Sequence, residues 1–404
     1  AHAHAHAHAH AHAHAHARSR KMAYTVHVHV QSPSPAPPHP SADLPQVIDS
    51  SKGGGSDDSL RSERVAEGLL YEVKYKPRAV ICGVGTGAPD ERYTQREVAD
   101  LLKVKDPRMR AIYSAAHIQS RCLAEIASEQ ERPVTQGGLL QKHLRWAKRM
   151  AADAVPMACA NAGVTLQDVE FFVVCTTTGF LAPGLSAHCA QSLGLSPHIQ
   201  RVDIVGMGCH AGLNTMCTAA HWAEANPGSI ALMLCMEVVS AGYMWDAGVP
   251  DMAMALTNSL FGDGCAAAVL ICPTPQKPIQ SSDARPKPAL YGFESMLVPD
   301  TLGSLCYEWL EDYNKYSFTI SPQVPYLMGL KIPIMVSRLL DKHRLKKEDI
   351  SHWVVHSGGK KARTNPILIS LPSVTVTVTV TPHPPLPHPS PHFHPPSFLC
   401  PCHR

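Results

Sequence analysis

Charge is scarce in this chain, and acidic residues are scarcest at its ends. Asp, Glu, Lys and Arg together make up 17% of its 404 residues, against about 25% in an average soluble protein. The net charge of +3 is too small and too scattered to form the basic patch that nucleic-acid binding requires. One modest cluster, Lys103, Lys105, Arg108 and Arg110, has the spacing of a phosphate contact or of a solvated helix face, and charge runs of this size are usually the latter. Long apolar runs are absent too. No stretch reaches the roughly 18 consecutive apolar residues of a membrane span, and the Ala-His opening has no apolar core of the kind a secretory signal carries. The central part of the chain holds no Cys-x-x-Cys pair and no Cys/His ligand spacing, so no zinc site is expected. Most of the 13 cysteines lie instead in apolar runs such as Val173-Val174-Cys175 and Leu234-Cys235-Met236, where they act as small hydrophobes in a reducing compartment. These absences describe a soluble, cytoplasmic protein with no metal, no membrane partner and no nucleic-acid partner.

Low complexity marks both ends. Ala1 to Ala17 alternate with His, Val26 to Val30 repeat the theme with Val, and Ser32 to Pro45 are Pro-rich. Such segments bury too little apolar surface to offset chain entropy, so residues 1–77 are expected to be disordered. Val374 to Thr381 alternate Val and Thr, and the remainder to Arg404 is mostly Pro, His and Ser. The Val/Thr run has strand propensity but no neighbouring element to support it, so residues 364–404 read as a low-complexity tail.

What lies between has the alternation of an α/β fold. Strands are expected at Arg78–Gly85, Val169–Cys175, Arg201–Val205, Ile230–Val238, Cys265–Ile271 and Trp353–Val355. Helices are expected at Gly137–Ala162, Leu185–Leu193 closed by Gly194, His210–Ala225 stopped by Asn226-Pro227-Gly228, and Ile332–Leu340. Alternation of this kind implies a sheet covered by helices.

Two segments carry chemistry. Val202-Asp203-Ile204-Val205-Gly206-Met207-Gly208-Cys209-His210 is a strand, a glycine-rich turn and the start of a helix, with a cysteine at the corner. A nucleophile at a strand-to-helix turn projects from the sheet, and a helix N-terminus stabilises a thiolate. Taken alone, the same cysteine fits an inert core position. In Val354-Val355-His356-Ser357-Gly358-Gly359 a histidine ends a strand, which suits either a general base or a satisfied core imidazole.

Together with these segments, Val174-Cys175-Thr176-Thr177-Thr178-Gly179, Pro183-Gly184, Leu260-Phe261-Gly262-Asp263-Gly264 and Phe318 before Val324-Pro325 resemble the type III polyketide synthases, the chalcone-synthase-like branch of the thiolase superfamily. The resemblance spans about Arg78 to Lys361. It implies a thiolase-like αβαβα layered fold, with an N-terminal half over 78–275 holding the nucleophile and a partial C-terminal half over 276–363 holding the histidine. It implies decarboxylative Claisen condensation of malonyl-CoA and acyl-CoA substrates, with no cofactor, in a homodimer. Cys209 would be the acyl-carrying nucleophile and His356 its base. Phe261 and Phe318 would be gatekeepers between the CoA tunnel and the cavity, and Thr177 would line that cavity.

The departures are informative. His-Ser-Gly-Gly-Lys-Lys resembles the bacterial 3,5-dihydroxyphenylacetyl-CoA synthases, which use malonyl-CoA alone. Ala182 and Gly242 stand where plant members place a methionine and a threonine. The family's asparagine, some thirty residues after the histidine, and its later GFGPG-like loop are not found. The second half is therefore expected to be truncated and the synthase impaired. Two alternatives stay open: a β-ketoacyl synthase III, which takes malonyl groups from a carrier protein, and an inactive pseudoenzyme.

Overall fold

The computed structural model describes residues 24–30, 78–115, 118–125, 135–241, 252–280, 287–299, 301, 303–311, 315–354, 356 and 374–375. The rest of the two low-complexity ends, Gly242 and Ser357 to Lys361 lie outside the described residues.

The centre is a five-stranded mixed sheet. Its strands are β2 (Val80–Gly87), β5 (Val169–Thr176), β6 (Gln200–Val205), β7 (Ile230–Glu237) and β8 (Gly264–Ile271), in the order β2-β8-β7-β5-β6. β5 runs parallel to β6 and β7, while β8 is antiparallel to β7 and β2. β5 is apolar at nearly every position because both its faces are covered. Val169, Phe172 and Val174 pack on one side, and Phe171 and Val173 on the other, as expected of a buried parallel strand.

One face is covered by α3 (Gln136–Ala162). Its N-terminus is capped by Thr135, whose Oγ1 accepts from the Gly138 N–H at 3.1 Å, and it ends at Gly163 with φ of 73°. The opposite face is covered by α5 (Ala211–Ala225). On the same face as α3 lies α4 (Leu185–Leu193), whose Leu185, Cys189 and Ala190 join the α3 core and which ends at left-handed Gly194, at the position its sequence marks.

β2 shows how closely α3 sits. A Cβ on Gly83, Gly85 or Gly87 would lie 2.2, 2.0 or 2.4 Å from the carbonyl oxygens of Ala158, Ala154 and Met150. A bulge between Ile81 and Gly83 shifts the strand's alternation by one residue. Val80 and Cys82 therefore face α3 before it, and the three glycines face α3 after it.

Short elements flank the sheet on the way to the site: β3 (Arg92–Thr94), α1 (Gln95–Leu101), α2 (Pro107–Ala115), β4 (Ser120–Cys122) and α6 (Met252–Leu260). The second region consists of β9 (Gly292–Val298), the antiparallel pair β10 (Leu305–Leu310) and β11 (Lys315–Ile320), α7 (Val324–Lys342) and β12 (Trp353–Val354). α7 begins eight residues before the predicted Ile332. Pro325 sits in its first turn, where a missing N–H costs nothing, and Pro333 is absorbed within the helix. The β10–β11 pair is not anticipated by the sequence reading.

Two expectations for the ends are revised. β1 (Tyr24–Val30) pairs antiparallel with β9, so the alternating Val-His run finds an edge strand to extend. β13 (Val374–Thr375) pairs parallel with β12, Trp353 opposite Val374, so the strand leading to His356 has a neighbour. Among the described residues no helix is long and apolar enough to cross a membrane.

Candidate active site

β5, β6 and β7 all end at the same edge of the sheet, and the chemistry-bearing residues collect there. After β6 the chain turns through Gly206 (φ 73°) and Gly208 (φ 62°), backbone conformations that residues with a Cβ rarely adopt. Cys209 follows in a short 3-10 turn, Gly208–His210, that leads into α5. Leu305 of β10 reaches across to this corner, within 3.5 Å of where a Cβ of Gly208 would be.

Cys209 keeps a solvent-exposed surface, yet it sits in a recess. Burial first, and the Glu237 carboxylate second, push its thiol up to about 11, against a small opposing effect of its own backbone N–H. The thiolate expected from the helix N-terminus is thus outweighed at this corner by desolvation and a like charge.

Glu237 ends β7 in a run of otherwise apolar residues. Its carboxylate accepts from the Thr177 N–H at 2.9 and 3.1 Å, from Thr177 Oγ1 at 2.7 Å and from Thr178 Oγ1 at 2.8 Å. Burial still raises it to about 7 against the pull of those bonds. Thr177, expected in the cavity wall, is therefore the clamp on Glu237. Behind it, Thr176 Oγ1 lies 3.3 Å from Thr178 Oγ1 and 3.1 Å from Nε2 of His143, a fully buried residue of α3. Burial pushes His143 down to about 4. A Cβ on Gly179 would lie 2.4 Å from its Nδ1, which is why that position of the Thr-Thr-Thr-Gly run must be bare.

Phe261 and Phe318 do meet, edge to face at 5.9 Å between ring centres. Tyr307, opposite Phe318 in the β10–β11 register, packs on Phe318 at 5.0 Å and on Phe180 at 5.6 Å. Its phenol is held well above the usual tyrosine range by burial and by the charges of Glu237 and Cys209. His356 stands exposed just after β12. Its pairing with Cys209 rests on the resemblance.

Sequence reasoning missed Glu237, His143 and Tyr307. For Glu237 a signal was present, a lone carboxylate closing the buried run Leu234-Cys235-Met236. A separate cavity of about 380 Å³ opens at the other end of the sheet beside Cys82, Gln167 and Lys277, and none of its lining residues belongs to the Cys209 corner.

Comparison with known proteins agrees with this geometry. Residues 139–275 match the family model for chalcone and stilbene synthases, N-terminal domain. The 3,5-dihydroxyphenylacetyl-CoA synthase of Amycolatopsis balhimycina is 41% identical over 283 residues, 69% of this chain and 73% of that protein. The α-pyrone synthesis polyketide synthase-like Pks18 of Mycobacterium tuberculosis is 29% identical over 296 residues, 70% of this chain and 73% of that protein. Among solved structures, PKS-I from the brown alga Ectocarpus siliculosus superposes with a TM-score of 0.62 at 27% identity, covering 72% of this chain and 80% of its own.

Proposed function

The chain belongs to the type III polyketide synthases, the family of the chalcone and stilbene synthases, and from that premise we propose that Cys209 is the residue on which its acyl chain grows. As a member of that family it is an acyltransferase that condenses malonyl-CoA units. The carrier-protein alternative of fatty-acid synthesis is not favoured, since the relatives are type III polyketide synthases.

The observation that carries the assignment is the corner itself. A cysteine that keeps a solvent-exposed surface follows a turn built from two positive-φ glycines at the carboxyl ends of parallel strands. In the proposed cycle the Cys209 thiolate attacks the carbonyl carbon of an acyl-CoA, and CoA leaves as its thiol with the proton His356 took from Cys209. Malonyl-CoA then loses carbon dioxide, and the electron pair of the broken C–C bond becomes an enolate. The enolate carbon attacks the Cys209 thioester and expels the thiolate, which leaves the chain, two carbons longer, on CoA; attack of the Cys209 thiolate on that thioester returns the chain to Cys209, releases CoA and opens the next round.

Glu237 opposes the thiolate, so the proposal assigns the compensating positive charge to His356 in its imidazolium form. Phe261 and Phe318 would form the apolar gate through which the CoA arm delivers each unit, and Thr177 the cavity wall. Identity of 41% to a 3,5-dihydroxyphenylacetyl-CoA synthase supports malonyl-CoA as starter as well as extender. We further propose a cytoplasmic homodimer that takes CoA thioesters and needs no metal or redox cofactor.

The test is to incubate the full chain with isotope-labelled malonyl-CoA, follow the labelled condensation product and map the acylated peptide by mass spectrometry. Label on Cys209, with product abolished in Cys209→Ala, is the expected result. Undiminished product from Cys209→Ala would overturn the assignment.

A further inference from the structure

Arg121 heads the large side chains that the fold buries completely, with 1% of its surface exposed. It stands at the centre of β4, opposite Tyr93 of β3, and its Nη1 donates to the Phe261 carbonyl oxygen at 3.1 Å. Nε and Nη2 have no hydrogen-bond partner, and among the described residues no carboxylate pairs with the guanidinium. A buried charge without a counter-charge is expensive. A lysine could shed its proton there, but an arginine cannot. Asp263, the buried carboxylate two residues beyond Phe261, is committed elsewhere. It accepts from the Ala124 N–H and the Ser240 N–H, both at 2.7 Å, and faces the charge of Lys142.

Three more buried polar atoms without partners converge on the same place. The ladder between β3 and β4 runs on to the Gln95 N–H, which donates to the Gln119 carbonyl at 3.3 Å. Gln95 and Arg121 are thus diagonal neighbours on one face of the pair, a spacing that long side chains bridge. Gln95 Nε2 donates to the Ser259 carbonyl at 2.7 Å. That bond fixes the amide's orientation and leaves Oε1 a buried acceptor with no donor. Ser259 and Phe261 are two residues apart, so Gln95 and Arg121 both reach the C-terminal end of α6. Asn258, beside Ser259 and buried, leaves Nδ2 unpaired. It lies one turn on from Ala255, which joins Tyr113 of α2 in one apolar cluster. Tyr113 is buried too, its hydroxyl has no partner, and it feels the charge of Arg121.

The chemistry of this set is selective. Nη1 is spent on Phe261, and Nε with Nη2 form the side of the fork that binds both oxygens of a planar oxyanion. The Tyr113 hydroxyl and Asn258 Nδ2 are further donors, whereas Gln95 Oε1 needs a donor in return. A halide would serve the donors and leave Oε1 bare, and so would a simple carboxylate. A small planar oxyanion that carries one O–H satisfies both kinds of atom, and bicarbonate is such an ion.

We propose that Arg121, Tyr113, Asn258 and Gln95 form an internal site for bicarbonate, held by the guanidinium fork with its O–H turned to Gln95. The ion supplies the negative charge that Arg121 lacks. It also steadies the guanidinium that holds the Phe261 carbonyl, so occupancy fixes the turn from α6 to β8 on which Phe261 stands. Binding involves no covalent step and no condensation, so it stands or falls apart from the Cys209 assignment.

The experiment is equilibrium dialysis of the full chain against radiolabelled bicarbonate in a degassed chloride buffer at constant ionic strength. One saturable equivalent per chain is expected. Unlabelled bicarbonate should displace it, and sodium formate, which has the planar carboxylate but no O–H, only at far higher concentration. Arg121→Met should abolish binding. If that variant does not fold, Tyr113→Phe, which keeps the ring and removes one donor, should weaken binding roughly tenfold or more, as loss of a hydrogen bond to a charged group does. The wild-type thermal midpoint should rise with bicarbonate concentration, as for any ligand of the folded state alone. No saturable binding, or binding undiminished in Arg121→Met or Tyr113→Phe, overturns the site and leaves buried water as its occupant. Formate competing as well as bicarbonate overturns the pairing of the O–H with Gln95.

Discussion

The five-stranded sheet and the region from β9 to β12 are held together in different ways. In the first, α3 presses its backbone onto a strand of glycines, and α5 packs small residues, Ala219, Ala220 and Ala223, against the other face. Its inner strands β5, β7 and β8 are enclosed, while the edge strand β6 leaves Val202 and Val205 exposed. In the second, the described strands occur in two-stranded ladders, which are marginal alone. α7 buries Met335, Leu339 and Leu340 but exposes Tyr326, Leu330 and Ile334 at intervals of four. Its polar anchor is Glu294, buried on β9 and bonded by Arg338 at 3.0 Å and by Lys342. The first region is a closed core that sets where the nucleophile stands. The second is a thinner wall that brings Tyr307 and Phe318 up to it.

The sharpest test of that contrast is a pair of glycines. In Gly85→Ala the new Cβ would lie 2.0 Å from a backbone oxygen of α3, and a helix locked into the core cannot withdraw. The expected loss is about 4 kcal/mol or more, in the range kept for severe mechanisms, read by urea unfolding or as loss of soluble protein. Gly303→Ala, in the second region, has φ of 85° and nothing within 4 Å, so it should cost only the left-handed strain of about 1–2 kcal/mol. Equal costs would break the comparison.

Large-to-small substitutions sharpen it further. Leu232 on β7 and Leu339 on α7 are both fully buried, and Leu→Ala costs about 2–5 kcal/mol at such sites. If the second region opens on its own, Leu339→Ala should speed amide hydrogen exchange in β9 and α7 while leaving β5 and β7 protected. Leu232→Ala should instead expose both regions. Uniform loss of protection in the two variants would make them one cooperative unit.

Glu237 sits where the regions meet, and its effect depends on pH. Its folded pKa, about 7, lies above the ordinary 4.5. Stability from its protonated form is full below about 4.5 and lost as pH rises through about 7. Glu237→Gln should therefore match wild type near pH 4 and gain up to about 3 kcal/mol over it above pH 8, checked by paired melts across that range. A gap that is constant with pH would mean the carboxylate is not buried as described.

The smallest effect belongs to the exposed stripe. Leu330→Lys on α7 should change stability by no more than about 0.5 kcal/mol. A loss of several times that would show the stripe to be covered in the assembled protein.

Local signals account for what could be read in advance. The ends of α3 and α4 are marked by Thr135, Gly163 and Gly194, residues whose preference for caps needs no tertiary context. The double burial of β5 is visible as an unbroken apolar run. The early start of α7 was hidden because Pro325 and Pro333 read as breakers; Pro325 costs nothing in the first turn, and packing of the helix against β9 offsets the cost of Pro333. β1 and β13 were hidden because a strand exists only where an edge is free to pair, and edges cannot be read locally.

The site divides along the same line. The glycines of the Cys209 turn, and the resemblance that singles out Cys209, His356, Thr177, Phe261 and Phe318, lie in short stretches of sequence. The sequence alone therefore determined the family, the core strands and the residues to inspect. Only the folded chain placed Glu237 of β7 in the grip of Thr177 and Thr178 of the β5 end, set His143 behind them from α3, and packed Tyr307 of β10 on Phe180 and Phe318. Those residues are up to 164 positions apart, and burial, which no single segment possesses, is what moves the Cys209 thiol up, the Glu237 carboxyl up and the His143 imidazole down.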